Sequence, residues 1–197
     1  MSDNILQSLM AHLGDNEMDM ISKQVGIDKS QAANALQGIM PTLLGAMANN
    51  TASSSGASAL MGALDKDHDG SILDNVTGFL QGPDTGMGSG ILKHLLGSNQ
   101  SAVESNIGKQ SGLSSGAVSQ LFKIAAPLVM GYLGRQKQSQ GISAGGIGSL
   151  LQGLAGQADT NSSFDMGDIF GMLAGGSSKG GMGGIAGKLL GGLLGGK

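Results

Sequence analysis

"ISKQVGIDKSQAANALQGIMPTLLGAM", residues 21–47, and "IGKQSGLSSGAVSQLFKIAAPLVMGYLG", residues 107–134, decide the fold, because they are one text written twice. Ile5 to Met47 falls on Ile91 to Leu133 without a gap. The identical pairs are Ile5/Ile91, Leu6/Leu92, Leu9/Leu95, Ile21/Ile107, Lys23/Lys109, Gln24/Gln110, Gly26/Gly112, Pro41/Pro127 and Gly45/Gly131. Apolar pairs such as Ile27/Leu113, Leu36/Phe122 and Met47/Leu133 extend the match, and two of the chain's 3 prolines stand in register. Self-similarity at such a period points to a repeated supersecondary unit. "ALMGAL" (59–64) then resembles "SLLQGL" (149–154), and "TGFL" (77–80) resembles "FGML" (170–173), after a change in loop length.

Inside each copy the apolar residues recur at helical spacing. Leu6, Leu9, Met10 and Leu13 share one helix face. Met18 to Gln24 predicts a second helix that Gly26 ends, since glycine enters the left-handed region at little cost. Asp28, with Ser114 in the matching place, caps a third helix running toward Ala48. Pro41 and Pro127 are expected to kink or split that helix, because proline removes an amide donor and crowds the preceding turn. A further helix is expected over Ala57–Leu64 and another from near Ser71. No stretch alternates as a strand would. The expectation is an all-α fold: a tandem of two similar multi-helix units and a Gly-rich C-terminal tail. The first unit is set at 1–81, a Gly-rich linker at 82–90, the second unit at 91–174 and the tail at 175–197.

Composition narrows the functional classes. Hydrophobic residues make up 40% of the 197, but aromatics only 3%, so the core is aliphatic and methionine-rich, with 12 Met. The 37 Gly exceed the ordinary share of about 7% more than twofold. Net charge is −3 and charged residues are 13%, a surface that repels itself weakly and suits self-association. It is a poor surface for nucleic acid, whose affinity comes mainly from phosphate neutralisation. The absence of Cys excludes disulfides, thiolate metal sites and cysteine nucleophiles. The start of the chain lacks the basic and continuous apolar regions of a secretory signal, and no run of about 18 uninterrupted apolar residues occurs. Cytoplasm is the default expectation, with non-classical export left open.

The helix–Gly–helix runs with the in-register proline, together with "DKDHDGSILD" (65–74), resemble the bacterial YidB-like family, a domain-of-unknown-function group. The resemblance covers residues 1–175 as a tandem arrangement. It implies no activity and brings no catalytic residues.

That acidic stretch is the most pointed chemical motif. Counted from Asp65, it supplies Asp65, Asp67, Asp69, Gly70 and the Ser71 carbonyl at the places a hand-type Ca²⁺ loop needs, with Ile72 at the usual apolar position. Position 12, where a bidentate Glu closes the shell, is Val76; Asp74 is the nearest substitute. The metal-ligand set is therefore Asp65, Asp67, Asp69, Ser71 and Asp74, for a weakly held calcium. The alternative is a turn in which Asp69 or Ser71 caps the next helix. His68, at an even position in the loop, is expected to face solvent or to assist a different metal.

The helix–Gly–helix corners also match the outline of a DNA-binding helix-turn-helix. Each second helix carries few cations near its start, Lys29 in one and Lys123 in the other, beside Gln31, Asn34 and Gln120. That is little to hold a phosphate backbone, so a structural corner is the favoured reading. In the tail, "GGIAGKLLGGLLGGK" places Ile185, Leu189, Leu190, Leu193 and Leu194 on one face with Lys188 and Lys197. A membrane surface, through residues 180–197, or an apolar groove of the chain itself would accept such a face. Its glycines oppose an isolated helix by roughly 1 kcal/mol each. His12, His68 and His94 are scattered, and no hydrolase, zincin or phosphate-loop motif occurs. The function expected is thus a non-enzymatic bacterial binding or self-assembly protein, with calcium as the candidate cofactor. DNA binding and membrane association through the tail are the alternatives.

Overall fold

The structure, a computed structural model, describes residues 13–82 and 84–159. The helix expected through Leu6 and Leu9, the segment 160–174 and the Gly-rich tail lie outside the described residues. Within them the chain is all-α. In order come α1 (Asp15–Val25), α2 (Lys29–Asn50), α3 (Ser54–Lys66), a 3₁₀ turn (Ser71–Asn75), α4 (Val76–Gln81) and α5 (Thr85–Leu96). A short 3₁₀ turn (Gly97–Asn99) then leads to α6 (Gln100–Ser111), α7 (Ser115–Gln140) and α8 (Ala144–Asp159).

The two copies of the motif adopt the same local geometry. Gly26 and Gly112 end α1 and α6 at φ 74° and 71°, the left-handed conformation that a Cβ disfavours. The amides that follow fold back: Ile27 N–H donates to the Ser22 carbonyl at 3.0 Å, and Leu113 N–H to Gly108 at 2.9 Å. At the start of α2 the Asp28 N–H donates to the Gln31 side chain at 3.1 Å. At the start of α7 the Ser114 hydroxyl accepts from Ala117 N–H at 3.2 Å. Each arrangement satisfies a backbone donor that the helix itself cannot.

α2 and α7 are the centre of the molecule. Every residue from Gly38 to Met47, and from Ile124 to Gly134, is buried. A helix apolar on all sides must be surrounded by others, and here the two pack on each other. By length and composition α7 could also cross a bilayer, but 72% of its apolar window is buried in this core.

Neither proline splits its helix. Pro127 deprives the Lys123 carbonyl of its helical donor, and it is on Lys123 that α5 closes: a Cβ on Gly88 would overlap that carbonyl oxygen and lie 2.7 Å from Lys123 Cα. The linker expected at 82–90 is corrected by the same contact. Its residues from Thr85 onward are the first turns of α5, capped by Asp84, whose carboxylate accepts from Met87 N–H at 3.0 Å. Gly88 serves close packing there.

The helices that follow the long ones cross over. α8 comes directly after α7 yet packs on α2 and α3; α3 in turn packs on α7 and α8. One hydrophobic cluster, from Leu13 to Ala155, runs through both copies of the motif.

Candidate functional site

The acidic loop leaves α3 at Asp67, whose N–H donates to the Ala63 carbonyl at 3.0 Å, and turns at Gly70, φ 99°. It then lies along α7 where that helix carries Gly131 and Gly134. A Cβ on Gly134 would overlap the His68 carbonyl oxygen and stand 2.9 Å from its carbon; one on Gly131 would strike the Ile72 side chain. Cations of α7 fasten the loop. Arg135 donates to the Gly70 carbonyl at 3.1 Å and pairs with Asp74; Lys137 pairs with Asp65; Gln138 donates to the Asp69 carbonyl at 2.9 Å.

The five residues expected to bind calcium are therefore not brought to one point. Asp65 and Asp74 face α7 cations, and Asp67 is exposed at the end of α3. Asp69 accepts from Ser71 N–H at 2.9 Å, and the Ser71 hydroxyl, then this amide, hold its carboxyl below the usual range. That is the turn-and-cap alternative. Calcium needs six to eight converging oxygens, and this donor set, with two carboxylates already neutralised, does not fit it. No cluster of three or more His, Cys, Asp or Glu suited to a metal exists among the described residues.

His68 corrects the sequence reading: it is buried, 7% exposed. The tight seat of its backbone on Gly134 carries the side chain inward. Burial pushes its pKa below the ordinary value, partly opposed by the Asp67 charge, and so favours the neutral imidazole, with one donor and one acceptor nitrogen.

His68 faces a cavity of about 300 Å³ between α3 and α5, at the small end of the range for ligand pockets. Met47 and Met130 from the two central helices, Leu60 and Ala63 from α3, and Ile91 and Leu95 from α5 make its apolar lining. Polar groups are few: His68, the exposed His94, Thr51 and Asn50. The Asn50 amide donates to the Ala46 carbonyl at 2.9 Å and to the Leu95 carbonyl at 3.2 Å, tying α2 to α5. Met87, the exposed large hydrophobic residue among those described, stands one turn before Ile91 on the same face of α5. Sequence reading missed this site, since its residues come from four helices. The recurrence of apolar residues at Met87, Ile91 and Leu95 was the available signal.

The helix–Gly–helix corners exist, but the helices that follow them are core elements exposed chiefly toward their ends. Lys29 there pairs with Asp19 at 2.9 Å and Asp15 at 3.4 Å, an arrangement that lowers the Asp19 carboxyl and raises the lysine. Asn34 and Gln120 are exposed on the two helices.

A protein family described as "Bacterial protein of unknown function (DUF937)" matches residues 7–136, which span α1 to most of α7. The chain belongs to this family. The match stops short of α8, so the helix that closes over α2 lies outside it. No curated protein and no solved structure matches the chain.

Proposed function

We propose that this DUF937 chain is a non-enzymatic binding protein that takes an apolar group into the cavity between α3 and α5. The observation that carries this reading is the cavity itself: an apolar lining with a buried imidazole in its wall. Concave apolar sites with a few polar groups are where proteins hold ligands and partner side chains, and methionines adapt to varied guests. Among the described residues the cavity lining is apolar apart from Asn50, Thr51, His68 and His94.

The test is titration of the full chain with an apolar fluorophore such as 1-anilinonaphthalene-8-sulfonate. Saturable enhancement is expected, lost in Ala59→Phe and Ala63→Phe, which fill the cavity from its exposed rim and its wall. Equal dye binding by the wild type and by both variants, each shown folded by circular dichroism, would refute the reading.

A further inference from the structure

Three of the four polar side chains in the cavity lining are accounted for. The Asn50 amide spends both its N–H donors on the Ala46 and Leu95 carbonyls, at 2.9 and 3.2 Å. The Thr51 hydroxyl donates to the Ala48 carbonyl at 3.0 Å, and His94 is exposed, where water serves it. His68 is the exception. It is 7% exposed, it lines the cavity, and its imidazole makes no hydrogen bond to any described residue. Yet no enclosed side-chain nitrogen or oxygen among the described residues lacks a partner. The ring nitrogens therefore open on accessible space, and the space that His68 lines is the cavity. A polar group so placed costs free energy until something pairs with it.

We infer that the cavity takes an uncharged small molecule with an apolar body and one hydroxyl, and that this hydroxyl hydrogen-bonds the His68 imidazole. This rests on the proposal that the cavity binds an apolar group, and it names the class. Size follows from the volume: a cavity of about 150 Å³ holds benzene, so about 300 Å³ admits a substituted ring or a chain of like bulk. The body must suit Leu60, Ile91 and Leu95, with Met47 and Met130, whose thioethers pack well against the edge of an aromatic ring. Water can pair with the imidazole but gives these apolar walls nothing. A hydrocarbon fills the walls but leaves the imidazole unpaired. A molecule with one hydroxyl does both. The hydroxyl also suits either ring nitrogen, since it donates to the unprotonated one and accepts from the protonated one. Charge is disfavoured. The described lining holds no Lys or Arg, the Asp67 charge that acts on His68 would repel an anion, and burial penalises any ion.

p-Cresol and toluene differ by the hydroxyl alone, so calorimetric titration of each into the full chain separates the hydrogen bond from the apolar fit. The preference for p-cresol over toluene, as the ratio of their dissociation constants, should be greater in the wild type than in His68→Leu by about fivefold or more. An unchanged ratio overturns the inference and leaves the binding proposal standing. 4-Methylbenzoate, of like shape but charged, should bind the wild type more weakly than p-cresol, again by about fivefold or more. Equal or tighter binding of the anion also overturns the inference. If neither p-cresol nor toluene binds the wild type, or if Ala59→Phe and Ala63→Phe leave their binding unchanged, the binding proposal itself fails and this inference with it. Should His68→Leu not fold, nitrogen-15 NMR of the wild type decides. Saturating p-cresol should shift the His68 ring signal more than saturating toluene does, and equal shifts overturn the inference.

Discussion

Gly134→Ala separates a loop that is built onto α7 from one that hangs beside it. In an ordinary helix interior, replacing Gly by Ala stabilises by about 0.8–1 kcal/mol. Gly62 of α3 offers that ordinary case, for a Cβ there meets nothing within 4 Å. At Gly134 the same methyl overlaps the His68 carbonyl oxygen and lies 3.2 Å from the Asp69 carbon, both backbone atoms that cannot rotate away. Overpacking of this kind costs about 1–3 kcal/mol. Relief would require the loop to lift, at the expense of the Arg135–Gly70 and Gln138–Asp69 hydrogen bonds at 3.1 and 2.9 Å. The two variants should therefore differ by about 1–3 kcal/mol, with Gly62→Ala the more stable. At about 2–4 °C per kcal/mol for a chain of this length, their melting temperatures should be roughly 2–12 °C apart. Urea unfolding followed by circular dichroism gives the difference directly. If Gly134→Ala stabilises as much as Gly62→Ala, the loop does not rest on α7, and the acidic stretch is not a turn seated on that helix.

Calcium added to several millimolar, the weak end for hand-type loops, should leave the melting temperature unchanged; a saturable rise lost in Asp65→Ala/Asp67→Ala would show that the carboxylates do converge on a metal. Stability should fall as pH drops below the ordinary His value of 6.5, because the unfolded chain takes a proton that buried His68 resists. The loss levels off below the lowered folded pKa, and a His68→Gln profile superimposable on the wild type between pH 5 and 8 would sink this assignment. Asp69 acts at lower pH, its contribution being present above the ordinary carboxylate range and lost as pH falls through its depressed folded pKa. Fragments 1–83 and 84–197, expressed separately, should each lack a cooperative melt and regain one on mixing, since α8 packs on α2 and α3; independent melts of both fragments would contradict the crossed packing.

What was legible in the sequence was local. Gly26, Gly112, Asp28 and Ser114 act within four residues of where they stand, so their helix ends could be read directly. α3 proved longer than Ala57–Leu64 because Ser53 accepts from Gly56 N–H at 3.1 Å and starts the helix earlier. What failed depended on neighbours distant in sequence. Gly88 reads as flexibility until Lys123 is beside it, and Pro127 reads as a break until α5 packs on α7. The cavity draws on α2, α3, α5 and α7, so only its α5 wall, with Ile91 and Leu95 one turn apart, left a signal in the sequence.

The acidic loop was the hardest case, since carboxylates spaced for calcium are also spaced for a turn that pairs outward with cations. A sharper signal lay in the duplication. Continued in the same register past Met47 and Leu133, the sequence sets Arg135 and Lys137 opposite Asn49 and Thr51, so the end of α7 carries cations where the end of α2 and its cap are neutral. Conversely, Asp65 and Asp67 fall on the neutral Ala155 and Gln157 in the register of 59–64 with 149–154. The two stretches thus differ in complementary ways, with acids after α3 and bases at the end of α7. A loop from one copy seated on the long helix of the other needs the acid on one side and the base on the other. The pairs Asp65–Lys137 and Asp74–Arg135 are that match. With side chains 13% to 71% exposed, such pairs contribute on the order of 1 kcal/mol or less each. Their effect is to fix where the loop sits on α7, and through it where His68 meets the cavity.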